Sequence, residues 1–281
     1  MSKIIFGIDV GGTTCKCGTF PEEGELLRKE EIPTRKDEGG SLILPDISEY
    51  IKGVLADMNM TTEDVAGIGM GLPGACLEDG TDNKCINLGW GVFNAANVLS
   101  ELTGIPVKIG NDANMAALGE FWVGGGSEYN SMVMVTIGTG VGGGVIIDGK
   151  PLYGFNGAAG EIGHLPLVEG ETESCNCGKK GCLEQVASAT GIVRTANRML
   201  AESDMPSSLR SVPYISAKVI FDEAKGGDAL AIQVTEYVCR YLGKGLACAA
   251  GMVDPEVFVI GGGVSAAGEY FINLIDKYYK E

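Results

Sequence analysis

The chain has 281 residues, 45% of them hydrophobic, with a formal net charge of −16 and a pI near 4.5. That length suggests two lobes rather than one, and the negative potential argues against nucleic acid and anionic membrane surfaces as partners. No apolar run approaches the roughly 20 residues of a membrane span, the N-terminal MSKIIFGIDVGG carries no cleavage site, and nine cysteines make an odd set for a disulfide framework, so a cytoplasmic protein with mostly reduced thiols is expected.

Taken in chain order, KIIFGIDV (3–10) is an apolar strand running into GGTT, and CKCGTF resumes strand-like residues, so 3–20 reads as a hairpin with its glycine turn at 11–12. A third strand is expected at 25–33, a helix over 41–60, a buried strand at 65–71, a helix over 94–104 closed by glycine, and a short strand at 105–112. A second pass begins at 130–150, where NSMVMVTIGTGVGGGVIIDGK repeats the opening theme of strand, Gly/Thr turn and strand, and ends in an Asp148-Gly149 turn. Placing Gly138 over Asp9 sets the two glycine turns 129 residues apart, a structural echo at low identity. Helices follow at 184–203 and 228–252, then a strand at 256–263 entering a third glycine turn, then a helix at 266–280. Two α/β lobes, a smaller one at 1–112 and a larger one at 113–281, are expected to flank a cleft.

The 44 glycines are clustered, and each of the three main clusters follows a strand. Such a turn is a tight hairpin or a cradle of backbone N–H groups for phosphate oxygens. None is a GxxxxGK[ST] loop, and GIDVGG has neither the spacing nor the following helix of a dinucleotide fingerprint. With these turns at consistent strand ends, the sequence resembles the sugar kinase, heat-shock 70 and actin superfamily. The resemblance implies the two-lobed, actin-like (ribonuclease H-like) ATPase fold, with ATP and magnesium held between the lobes. It implies that Asp9 holds the magnesium shell, that Gly11, Gly12, Thr13 and Thr14 approach the outer phosphates, and that Thr139, Gly140 and Gly142 meet them from the other lobe. Gly261, Gly262 and Gly263 would lie near the adenosine. Lys16 either reaches the phosphates or is a solvated strand lysine.

GNDANMAALGE (110–120) places Asn111 and Asp112 where a strand gives way to a helix. Either residue can be an N-cap, and Asp112 can equally be the general base that phosphoryl transfer requires. The only histidine, His164, lies in GEIGHLPL, eleven residues before CNCGKKGC (175–182). One imidazole and three thiols suit tetrahedral zinc, although CxC is tighter than the usual CxxC; read alone, the stretch is equally a disulfide or a glycine turn.

GEIGHLPL followed by CNCGKKGCLEQVASATG closely resembles the signature of the ROK family (repressors, open reading frames and sugar kinases), and within it the bacterial glucokinases. The resemblance implies zinc on His164, Cys175, Cys177 and Cys182, sugar contacts from Glu161 and Glu184, and His164 touching both. Asn111 and Asp112 match the family's NDAN, the asparagine binding sugar hydroxyls and the aspartate acting as base. In the loop 71–90, Asn87 is a further sugar contact and Trp90 a cleft-lining residue, or they are an ordinary loop asparagine and a packed tryptophan. Converging carboxylates and amides suit a neutral polyol, because a buried acceptor left unpaired costs roughly 1–3 kcal/mol. A zinc with four protein ligands has no open position and is structural.

The implied activity is ATP-dependent phosphorylation of glucose to glucose 6-phosphate. N-acetylmannosamine, allose, mannose or fructose is the alternative acceptor and polyphosphate the alternative donor. A ROK-type sugar-sensing regulator would need an N-terminal helix-turn-helix, whereas a strand already starts at Lys3. The family often forms homodimers through the second lobe, and its kinases usually continue past the helix at 266–280, so the terminal helical segment is expected to be absent here.

Overall fold

Strand β1 (Ile4–Val10) buries Ile4, Phe6, Ile8 and Val10 in alternation, the period-two pattern of a strand with one face on a core. In the computed structural model, which describes residues 3–281, the chain divides into two units. The first comprises the described residues up to Ser127 together with Lys150–Ala159; the second comprises Glu128–Gly149 and Gly160–Glu281.

In the first unit, β2 (Thr14–Pro21) returns antiparallel to β1 and β3 (Arg28–Pro33) antiparallel to β2. β4 (Val65–Leu72) then pairs parallel with β1, and a two-stranded hairpin of β5 (Thr81–Asn83) and β6 (Val92–Asn94) follows. β7 (Val107–Asn111) pairs parallel with β4 to complete the order β3-β2-β1-β4-β7. The helices are α1 (Ile43–Asp57), α2 (Ala95–Thr103) and α3 (Asp112–Val123). Phe6, Ile47, Met70 and Leu99 are fully buried in the core that α1 and α2 share with the sheet. Because β1, β4 and β7 are parallel and in register, Asp9 stands opposite Gly71 and Leu72 opposite Asn111. The carboxyl ends of these strands therefore bring Asp9 and Asn111 to one edge, where open α/β sheets bind ligands.

The boundary expected near Asp112 falls instead after Ser127. The reason is packing: α3 lies on β4 and β7, and the returning segment is anchored by the Tyr153 hydroxyl donating to Ile109 O at 3.3 Å. The β5–β6 hairpin was not anticipated. Trp90, beside it, is only 6% exposed, donates its indole N–H to Gly40 O at 3.0 Å and meets Phe93 edge-on at 5.2 Å, so it is a core anchor of the first unit.

In the second unit, β8 (Met132–Ile137) pairs antiparallel with β9 (Val141–Ile147) and parallel with β10 (Val257–Gly261). The β9 strand ends in the expected tight turn, with Asp148 at φ 50° and Gly149 at φ 74°. The helix expected over 184–203 is two helices, α4 (Glu184–Ala187) and α5 (Ala189–Glu202). Ser188 breaks it with an extended backbone (φ −72°, ψ 163°) and caps α5 by accepting the Gly191 N–H at 3.0 Å. Two more helices precede β10: α6 (Ala217–Lys225), which was not anticipated, and α7 (Ala229–Val253). α8 (Glu269–Lys280) follows it. α7 starts on the Asp228 side chain, which accepts the Ala231 N–H at 2.9 Å. These helices pack Leu183, Ile192, Phe221, Val238 and Phe271 into one core. Among the described residues no helix is long and apolar enough to cross a membrane.

Candidate functional site

The 3-10 turn Ile162–His164 and the loop before α4 bring His164, Cys175, Cys177 and Cys182 together, with one donor atom from each lying within 4.8 Å of all the others. Cys175 N–H donates to Lys179 O at 2.7 Å and Gly178 N–H to Cys175 O at 2.8 Å, so the residues between the cysteines form a tight turn that keeps the thiols close together. The Cys177 and Cys182 sulfurs are 3.5 Å apart, and the Cys175 sulfur is 3.8 Å from His164 Nδ1. Zinc–sulfur bonds of about 2.3 Å at tetrahedral angles put sulfurs about 3.8 Å apart, so the set fits a tetrahedral zinc. All the thiols are free, which sets aside the disulfide reading of CNCGKKGC. Burial pushes the Cys175 and Cys182 thiols up, whereas the Lys179 N–H beside the exposed Cys177 holds that thiol below its ordinary value.

Both expected sugar carboxylates adjoin this centre. Glu161 Oε2 lies 3.8 Å from His164 Nε2, and Glu184 Oε1 lies 3.6 Å from His164 Nδ1 and accepts from Cys175 Sγ at 2.8 Å. The other oxygen of Glu184 faces the second glycine turn: a Cβ placed on Gly140 would stand 2.9 Å from Glu184 Oε2, closer than such contacts allow. A side chain at position 140 would thus displace the carboxylate. Thr139, Gly140, Cys175, Glu184, Ser188 and Arg194 line one cavity of about 420 Å³, within the range of small-molecule sites.

The second turn is held from α5. Gly138 N–H donates to Gly140 O at 3.0 Å, Ala189 N–H donates to Gly138 O at 2.8 Å, and the Thr190 hydroxyl donates to Thr139 O at 2.9 Å. Gly142 lies beyond the turn, within β9 and opposite Thr136, and Gly261 pairs with Thr136 from the other side. The third turn is therefore the neighbour of the second. Gly262, at φ 84°, leaves no room for a side chain, because its Cβ would stand 2.5 Å from Ile137 O. Gly263 opens the short helical turn that follows.

In the first unit, Gly11, Gly12, Thr13 and Thr14 form the expected turn, closed by Gly11 N–H donating to Thr14 O at 3.0 Å. Asp9 sits at the end of β1 with Lys16 opposite it on β2. Their charges are 3.5 Å apart with side chains 53% and 55% exposed, a weakly coupled pair whose carboxylate is open to a ligand. Asn111, not Asp112, is the N-cap of α3: its Oδ1 accepts from Ala113 N at 2.9 Å and Asn114 N at 3.4 Å, while its Nδ2 donates to Gly74 O at 3.2 Å. Asp112 is the first helical residue, and its Oδ1 accepts the Ala113 N–H at 2.7 Å. Its carboxyl is accessible but crowded by protein, and this loss of solvation lifts its pKa above the ordinary aspartate range; the Ala113 N–H opposes the shift and the Asp9 charge adds to it. Asn87 is exposed on the short turn Ile86–Leu88.

Three residues around this site were not singled out from the sequence. Arg194 bonds Glu173 Oε2 at 2.7 Å, Gln185 O at 2.9 Å and the Glu171 carboxylate, strapping the segment before the cysteines to α5. Gln185 accepts the Cys182 N–H at 3.1 Å and donates to Glu173 O at 3.1 Å. Thr190 holds Thr139 across 51 positions of sequence. An arginine, a glutamine and a threonine on a helix carry no local pattern that announces such partners.

The model of the ROK family matches residues 5–281. The chain belongs to the ROK family. A glucokinase from Halalkalibacterium halodurans is 42% identical to this ROK protein over 278 residues, 98% of this chain and 84% of that one. The crystal structure of a ROK hexokinase from Thermus thermophilus matches it with a TM-score of 0.80 at 32% identity, covering 99% of this chain and 88% of the other. A ROK family glucokinase from Streptomyces griseus, solved in complex with glucose and AMPPNP, matches with a TM-score of 0.73 at 32% identity over the same shares. The α/β fold of this ROK protein is thus that of ROK hexokinases.

Proposed function

We propose that this ROK protein is an ATP-dependent hexose kinase that transfers the γ-phosphoryl group to the 6-hydroxyl of glucose. The observation that carries this reading is the position of Glu184, which touches the Cys/His centre with one oxygen and faces Gly140 of a glycine turn with the other. A hydroxyl-binding carboxylate beside a phosphate cradle is the juxtaposition that phosphoryl transfer to a sugar requires. The likeness to the glucokinases supports glucose as the acceptor.

In this mechanism Asn111, Asp112, Glu161, His164, Glu184 and Asn87 bind the sugar hydroxyls. Asp112 takes the proton of the 6-hydroxyl as its oxygen bonds to the γ-phosphorus, and the bond from that phosphorus to the oxygen of ADP breaks. For ATP as its magnesium complex, Asp9 would serve the magnesium, Gly11 to Thr14 and Thr139 to Gly142 would meet the phosphates, Lys16 would add positive charge and Gly261 to Gly263 would receive the adenosine. His164, Cys175, Cys177 and Cys182 would hold a zinc ion with a complete set of protein ligands, and that ion would supply a structural cross-link between the turn bearing Glu161 and the helix bearing Glu184. The family resemblance further supports a homodimer, and the free thiols a cytoplasmic location.

The test is ADP release, measured through a coupled assay with magnesium and ATP across a panel of hexoses. Glucose is expected to give the highest kcat/KM. Turnover on no hexose would reject the kinase, and a higher kcat/KM on N-acetylmannosamine, allose, mannose or fructose would reject glucose as the preferred acceptor.

A further inference from the structure

The first glycine turn is held by a residue that lies outside its hairpin. Thr34 follows the end of β3 and is only 8% exposed. Its N–H donates to Thr13 O at 2.9 Å, and its hydroxyl donates to Gly11 O at 2.7 Å. The Cys15 sulfur lies 3.4 Å from the same hydroxyl. Because a carbonyl can only accept, the Thr34 proton is committed to Gly11 O and the thiol is the donor to Thr34. Burial raises the Cys15 pKa, which keeps that thiol protonated and able to donate.

A trans peptide points its C=O and the following N–H in opposite directions. Fixing Gly11 O and Thr13 O toward Thr34 therefore turns the N–H groups of Gly12 and Thr14 away from it. We propose that Thr34 is a positioning residue that sets the direction of these two N–H groups for the nucleotide phosphates. This rests on reading residues 11–14 as a phosphate turn. Glycine at 11 and 12 leaves this backbone soft, and the Thr34 hydroxyl removes that softness without adding a side chain on the phosphate side.

The experiment compares wild type with Thr34→Val, which keeps the branched shape and the N–H but loses the hydroxyl, with Thr34→Ala, and with Thr34→Ser, which restores the hydroxyl. Two readouts are used: steady-state kinetics in MgATP and in glucose, and hydrogen exchange of the amides in 11–15 without ligand. The Val and Ala variants are expected to raise the KM for MgATP about three- to tenfold, the worth of one hydrogen bond. They should leave the KM for glucose within about twofold and speed exchange in 11–15, while Ser behaves as wild type. Unchanged KM for MgATP, equal rises in both KM values, or failure of Ser to rescue would overturn the proposal. If the Val variant does not fold, Ala against Ser decides it. If the wild type phosphorylates no hexose, the kinase reading fails while the exchange result still judges Thr34: identical exchange in 11–15 overturns it and faster exchange in the hydroxyl-less variants sustains it.

Discussion

Replacing Asp112 with asparagine isolates the proposed base from the architecture around it. The Asp112 Oδ1 accepts the Ala113 N–H, which the amide oxygen of asparagine also accepts, and the helix cap belongs to Asn111, so α3 keeps its start. What disappears is the proton acceptor. A positioned base contributes about 10²- to 10⁴-fold, so kcat should fall by that factor, equivalent to about 2.7–5.4 kcal/mol in the barrier, with glucose binding still measurable by calorimetry. The folded-state pKa of Asp112 is raised. Its carboxylate is the active form, so activity is present above that pKa and is lost as pH falls through it, at a higher pH than an ordinary aspartate near 3.9 would give. The acid limb of kcat/KM should lie there in the wild type and vanish from the residual activity of the variant. The stability sign is opposite. A raised folded-state pKa means that ionised Asp112 costs the fold at neutral pH, so the asparagine variant should melt at the same temperature as wild type or higher. A kcat within tenfold of wild type, or an unchanged acid limb, would refute Asp112 as the base.

Three further outcomes follow from the geometry. Cys177→Ser should lower zinc content, measured by elemental analysis, together with glucose affinity, because the centre anchors the elements that carry Glu161 and Glu184; wild type free of zinc would reject the metal's structural role. Gly262→Ala forces a side chain to 2.5 Å from Ile137 O at φ 84°, and should cost about 1–3 kcal/mol in urea unfolding; wild-type stability would contradict the close approach. Trp90→Phe leaves Gly40 O without its indole donor and should lower stability by about 1–3 kcal/mol while the KM for glucose stays within about twofold; a large rise in that KM with unchanged stability would favour the cleft-lining reading of Trp90 over the packing one.

Much of the first sheet was legible from the residues. The alternation in KIIFGIDV and the glycines after it place β1, the turn and β2 almost to the residue, because strand period and turn chemistry act over a few neighbours. Asn94, Asp228 and Gly104 mark helix ends for the same local reason. The split of 184–203 is not legible locally, because a single serine such as Ser188 is tolerated inside a helix as well as favoured at a cap, and the residues beside it suit a helix either way. Assigning α3 to the second lobe failed because a helix does not state in its own sequence which sheet it will cover.

By itself the sequence determined the groups that lie close along the chain: the strand pairs, their glycine turns, the three cysteines of one short loop, and the asparagine and aspartate at a strand-to-helix junction. Tertiary structure alone decided that Glu184 would face Gly140, that Thr190 would hold Thr139, that Thr34 would hold Gly11, and that Trp90 would be spent on the core. Those contacts join common residue types across 23 to 51 positions of chain. A hydrogen bond at such separation leaves no local trace, because steric preference and hydrophobic period act only between near neighbours, whereas its partner is chosen by the packing of whole elements.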